Sequence, residues 1–158
     1  MRTSFFDDLQ ARGLVHTASE GVRQLFEAGP VTAYIGFDPT AASLHVGSLL
    51  QIIALMRLQR AGGNPIALVG GGTGMIGDPS GKTAERQLLT RADVERNVQG
   101  LRDTLGRFLD FDGPHAAQVI DNHEWLGGLG LIEFLRDVGK HFTDNYMQAK
   151  DSVSRRLE

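Results

Sequence analysis

At 158 residues, 41% of them hydrophobic and 22% charged, the chain has the size and composition of one globular domain with a real core. It has no run of eighteen apolar residues, no long apolar segment at its N-terminus and no cysteine. A membrane-spanning helix, a disulfide framework and a thiolate metal site are thereby excluded, and a cytoplasmic setting is expected. A net charge of −3 argues against broad non-specific nucleic-acid binding by this segment.

Residues 4–12 read as a short helix stopped by Gly13, with Phe5, Phe6 and Leu9 available for docking. Residues 19–28 read as a second helix, capped by Ser19, striped by Val22, Leu25 and Phe26 and ended by Gly29-Pro30. Residues 1–30 thus form a helical preface. Val31, Ala33, Ile35 and Phe37 then make a short apolar series around Tyr34, bounded by Pro30 and by Asp38-Pro39. Pro39 keeps Asp38 extended and cannot continue a strand. Leu49, Leu50, Ile52, Ile53, Leu55, Met56 and Leu58 follow helical spacing until Gly62-Gly63. A helix apolar over so much of its girth is expected to sit deep against a sheet. His45 and Ser48 fall in its first turn, with Gly47 between them. Free N–H groups and partial positive charge at a helix start suit a phosphate, and Gly47 leaves room for a flat ligand. The same pattern also fits a plain strand–turn–helix with a histidine cap.

Asn64-Pro65 opens a second strand, residues 66–69, which completes a βαβ unit of a parallel sheet. Both strands then end at one edge, so residues 38–48 and 70–82 are expected to meet where open α/β sheets bind ligands. Gly72-Thr73-Gly74-Met75-Ile76-Gly77 matches a dinucleotide fingerprint, which must open a helix; Asp78-Pro79-Ser80-Gly81 follows instead, which is turn chemistry. A phosphate-loop reading of Gly81-Lys82-Thr83 fails because Ile76 stands where its first glycine belongs. A plain glycine-rich surface loop is the alternative; Asp78 and the Lys82/Arg86 pair favour a site. Thr90-Arg91-Ala92-Asp93 has the form of a capping box, and Val94, Val98, Leu101, Leu105 and Phe108 follow as an amphipathic crossover helix. Residues 118–120 read as a third strand, and His123 beside Glu124 is too little for a metal site. Residues 129–138 and 145–157 read as helices. Trp125, Ile132, Phe134, Leu135 and Phe142 are expected in a core or an interface.

Residues 36–41 (Gly-Phe-Asp-Pro-Thr-Ala), 43–47 (Ser-Leu-His-Val-Gly), the run 67–82 and residues 134–142 (Phe-Leu-Arg-Asp-Val-Gly-Lys-His-Phe) resemble bacterial tyrosyl-tRNA synthetases, in order and nearly without gaps. The resemblance implies a Rossmann-like parallel α/β fold, with residues 31–158 the first part of a class I catalytic domain that continues beyond a truncated C-terminal end. It implies ATP-dependent activation of L-tyrosine to tyrosyl-adenylate and transfer to tRNA(Tyr), with Mg2+ as the counterion of ATP and no tightly bound cofactor. Thr40, His45, Lys82 and Arg86 are then the catalytic groups. Tyr34, Thr73 and Asp78 meet the tyrosine, the phenol of Tyr34 being expected buried. Gly36, Asp38, His45, Gly47 and Ser48 line the ATP side. A homodimer through residues 129–142 is expected, and activity of these residues alone is not. Ser48 stands where the family usually has a second histidine, and Gly72 where it usually has alanine. A dinucleotide-binding oxidoreductase, resting on the glycine run, and a non-catalytic dimerising module are the alternatives.

Overall fold

The computed structural model describes residues 4–76, 89–150 and 153. Three strands, β1 (Thr32–Phe37), β2 (Asn64–Val69) and β3 (Gln118–Asp121), form a parallel sheet in the order β1-β2-β3. The register pairs Phe37 with Val69 and Val69 with Asp121, so the strands end level at the carboxyl edge. Ahead of the sheet lie α1 (Phe5–Ala11) and α2 (Val22–Ala28); α3 (Leu49–Arg60) links β1 to β2. One helical turn, α4 (Gly71–Gly74), follows β2, and α5 (Arg91–Leu105) precedes β3. The chain then forms α6 (His123–Leu126), α7 (Leu131–Asp137) and α8 (Asp144–Gln148). No helix among the described residues is long and apolar enough to cross a membrane.

Two helices cover one face of the sheet. Ile52 and Leu55 of α3 and Val94, Val98, Leu101 and Leu105 of α5 share one core cluster with Phe37, Ala67 and Val69. Strand alternation puts Tyr34, Gly36, Ile66 and Leu68 on the other face. α3 is not sunk all round, as its composition suggests: Ile52, Leu55 and Leu58 are buried, whereas Leu49 and Leu50 are exposed. Gly62, at φ +90°, ends α3 in the left-handed region, and the N–H of Gly63 donates to the carbonyl of Leu58 at 3.0 Å.

The capping box forms as its spacing predicts. Thr90 Oγ1 accepts from the Asp93 amide, and the Asp93 carboxylate accepts from the Thr90 hydroxyl at 2.6 Å and from its amide at 3.3 Å. The Thr90 bonds, with Arg96 adding to them, hold the Asp93 carboxyl below the usual range. α5 stops at Leu105, so Phe108 lies beyond the helix and is exposed. In the preface, α2 begins at a Gly21 cap in the left-handed region (φ 79°) rather than at Ser19, whose carbonyl only closes the preceding turn onto Val22. Phe5 packs on Phe26 at 5.2 Å, and Arg23 lies over Phe6 and pairs with Asp7. Asp8 ties the preface to α3 through Arg57 at 2.6 Å; that bond holds the Asp8 carboxyl below its ordinary range. Leu25 is exposed, so the expected stripe docks at its other members.

At the other end of the chain the residues expected in a core or an interface lie outside this chain's core. Trp125, Ile132, Phe134, Leu135 and Phe142 are all exposed. α7 begins at Leu131, and most of the helix expected beyond Gln148 lies outside the described residues.

Candidate functional site

Of the two turns predicted to meet, the described part of the second, residues 70–76, meets the first. The N–H of Gly70 donates to the carbonyl of Phe37 at 3.0 Å, joining the ends of β1 and β2. Pro39 is fully buried, and its ring would stand 3.3 Å from a β-carbon on Gly74. Asp38 and Thr40, on either side of this wedge, are exposed. A cleft of about 1170 Å³ opens elsewhere, lined by Phe5, Asp8, Pro30, Val31, Arg57 and Gly63 among others. That cleft lies at the amino ends of β1 and β2, away from the two turns, so its volume does not mark it as the site.

His45 caps a short 3-10 turn, Val46–Ser48, that leads into α3. Its Nδ1 accepts from the Gly47 amide at 3.0 Å, so the proton of the neutral ring sits on Nε2. The exposed Nε2–H is then a donor for an anion. A β-carbon on Gly47 would lie 2.7 Å from the ring, so glycine is what lets the imidazole fold back on its own turn. Ser48 is half-buried and makes no capping bond with its side chain.

Asp121 and Asn122, at the end of β3, hold the glycine turn. Asp121 Oδ1 accepts from the amides of Gly71 and His123, each at 2.9 Å. Asn122 Oδ1 accepts from Gly72 at 2.7 Å and from Thr73 at 3.4 Å, while its Nδ2 donates to Thr73 Oγ1 at 3.0 Å. A β-carbon on Gly71 would lie 2.2 Å from Asp121 Oδ1, so the turn closes on the carboxylate only because residue 71 is glycine. These acceptors satisfy the first amides of α4, which is why one helical turn forms within the glycine run. Sequence reasoning missed both residues. The signal was a polar pair following an apolar strand at the edge where the two turns end.

Gly36 lies on the exposed face of β1, and Thr73 is exposed on α4. Tyr34 departs from expectation: it is 67% exposed, not buried, because alternation turns it away from α3 and α5. Asp78, Lys82 and Arg86 lie outside the described residues. Among the described residues, no group of three or more histidines and carboxylates is placed to hold a metal ion.

A parallel sheet with two glycine-bearing turns meeting at its carboxyl edge defines a Rossmann-like α/β protein. Residues 27–158 match the family described as tRNA synthetases class I (W and Y), and the chain belongs to that family. It is 55% identical over 155 residues to a tyrosine–tRNA ligase of Anaeromyxobacter dehalogenans, covering 98% of this chain and 37% of that protein. It is 51% identical over 160 residues to the tyrosine–tRNA ligase of Staphylococcus carnosus, covering all of this chain and 38% of the relative. A C-terminally truncated mitochondrial tyrosyl-tRNA synthetase of Aspergillus nidulans superposes with a TM-score of 0.81 at 26% identity, over 99% of this chain and 48% of that one. The chain thus spans well under half the length of the curated relatives it matches.

Proposed function

We propose that this chain is part of a tyrosine–tRNA ligase, which activates L-tyrosine with ATP and passes the tyrosyl group to tRNA(Tyr). One observation carries the reading. The two turns meet at one sheet edge in a chain 55% identical to an enzyme of that name. In the first step the tyrosine carboxylate attacks the α-phosphorus of ATP, the bond to the bridging oxygen breaks, and pyrophosphate leaves. No side chain need become covalently attached, so the protein supplies alignment and charge stabilisation.

In this reading Thr40 and the Nε2–H of His45 donate to the phosphates. Gly36, Asp38, Gly47 and Ser48 shape the adenosine side, and Lys82 and Arg86 neutralise the departing pyrophosphate. Tyr34, Thr73 and Asp78 read the substrate tyrosine, Asp78 taking the ammonium. The phenol of Tyr34, open on its face of the sheet, has room for a ligand hydroxyl. A site built so would reject phenylalanine, a discrimination for which tyrosine activation is itself the standard worked case in enzymology. Mg2+ would accompany ATP as its counterion; no protein ligands are assigned to it. Residues 31–158 are read as catalytic-domain sequence and residues 1–30 as its preface. Supporting a homodimer is the exposed apolar run Leu131, Ile132 and Leu135, within the segment expected to pair.

The test is tyrosine-dependent ATP–pyrophosphate exchange by the native gene product. His45→Ala, Lys82→Ala and Arg86→Ala should lower the rate of adenylate formation far more than they weaken tyrosine binding, because their partners gain charge in the transition state. Asp78→Ala should chiefly impair tyrosine binding. No tyrosine-dependent exchange by the parent would refute the reading.

A further inference from the structure

We propose that Asn97 and Gly100 of α5 are positioning residues for the phosphate-binding loop, an inference that rests on the function proposed above. The buried face of α5 is valine and leucine except at Asn97, which is 9% exposed. A buried amide is costly unless it is hydrogen-bonded. Asn97 Nδ2 donates at 2.9 Å to the carbonyl of Pro39, at the base of the loop.

Gly100 stands three residues further on, on the same side of the helix. A β-carbon there would lie 2.0 Å from the carbonyl oxygen of Ala42, 2.8 Å from its carbonyl carbon and 3.1 Å from its Cα. The obstacle is backbone, so no rotamer change relieves it. Glycine weakens the interior of a helix, and the close approach to Ala42 is what it permits here.

The two contacts pin the loop at residues 39 and 42. Thr40, proposed to donate to the phosphates, is carried on the short span between the pins. Pro39 also packs against Gly74, so the same anchors set the height of this loop relative to the glycine turn. α5 is therefore more than a cover for the sheet. It holds one wall of the nucleotide site at a fixed distance from the other.

Asn97→Ala removes the donor, and Gly100→Ala forces Ala42 away by roughly an ångström, a displacement that costs on the order of a hundredfold in rate when it reaches reacting groups. Asn97→Ser, a shorter donor, is the milder variant should Asn97→Ala fold poorly. Val98→Ala, on the same helix and in the core, is the control for lost packing alone. In ATP–pyrophosphate exchange by the native gene product, Asn97→Ala and Gly100→Ala should lower kcat/KM for ATP about ten- to a hundredfold. The KM for tyrosine should change less than about twofold, because Tyr34 sits on β1 and not on the pinned loop. Asn97→Ser should fall between parent and Asn97→Ala, and Val98→Ala should lower Tm while leaving the ATP parameters in place. An active parent whose Asn97 and Gly100 variants lose only Tm, or whose Val98→Ala variant loses ATP efficiency equally, would overturn the positioning role alone. A parent with no tyrosine-dependent exchange would overturn the functional reading and this inference with it.

Discussion

Asn122 offers a direct way to ask whether the glycine turn is held by β3. It is 8% exposed and makes two bonds of ordinary length, from the Gly72 amide at 2.7 Å and to Thr73 Oγ1 at 3.0 Å, with a third contact from the Thr73 amide at 3.4 Å. The third is too long to count for much. Two neutral hydrogen bonds, each worth about 0.5–1.5 kcal/mol net, give roughly 2 kcal/mol for Asn122→Ala, more if water cannot reach the abandoned Gly72 amide. Asn122→Asp keeps the first bond and reverses the direction of the second. Its carboxylate keeps the acceptor for the amides, and the Thr73 hydroxyl can turn to donate to it. The aspartate variant should therefore lose less than about half of what the alanine variant loses.

Urea unfolding of the native gene product at one protein concentration measures the stability loss, and exchange kinetics measure the KM for tyrosine. Asn122→Ala should raise that KM several-fold through the freed Thr73, whereas Asn122→Asp should hardly move it. Equal damage from the two substitutions, or an alanine variant within about 0.5 kcal/mol of the parent, would show that the turn holds itself.

The capping box gives a pH prediction. The folded-state pKa of Asp93 lies below the ordinary carboxyl value, so its contribution is full above the unfolded carboxyl range and is lost as pH falls through the lower folded value. Thr90→Ala removes the principal cause of the shift, so its stability deficit at neutral pH should shrink in acid; a deficit independent of pH would refute the assignment. The proposed homodimer makes Ile132, 74% exposed on α7, a contact residue. Ile132→Asp should shift sedimentation from dimer to monomer, and an unchanged dimer would place the interface elsewhere.

What is legible in the sequence is what repeats or caps locally. The Val94-Val98-Leu101-Leu105 spacing and the Thr90/Asp93 pair define α5 because each depends on neighbours within one or two turns. The apolar runs at β1 and β2 are equally plain, and their order alone brings two turns to one edge. Tyr34 departs from expectation because its neighbours are apolar on both sides, so composition does not say which face of the strand α3 and α5 cover. At Trp125 and Ile132 the sequence leaves core and interface undivided, because apolar residues at helical spacing read alike in either, and only the exposure of both residues takes them out of this chain's core. Asn97 is visible as a polar break in an apolar stripe, yet its partner Pro39 lies 58 residues away. Nothing local points across that distance.

The anchors of the site are non-local for a physical reason. Gly70, Gly71 and Gly72 have no side chains with which to brace their own turn, and Pro39 has no amide with which to tie down the other. Each turn must take its support from an element that arrives later in the chain: the Asp121 carboxylate and Asn122 amide from β3, and the Asn97 amide from α5. All three are placed by packing that has nothing to do with ligands. α5 is held by its leucines and valines, and β3 by its register with β2. A small error in either would move a wall of the site without exposing any core residue. Loss of activity beyond what the loss of stability explains is thus the expected phenotype of changes at Asn97, Gly100, Asp121 and Asn122, whereas a core change in α5 such as Val98→Ala lowers stability alone.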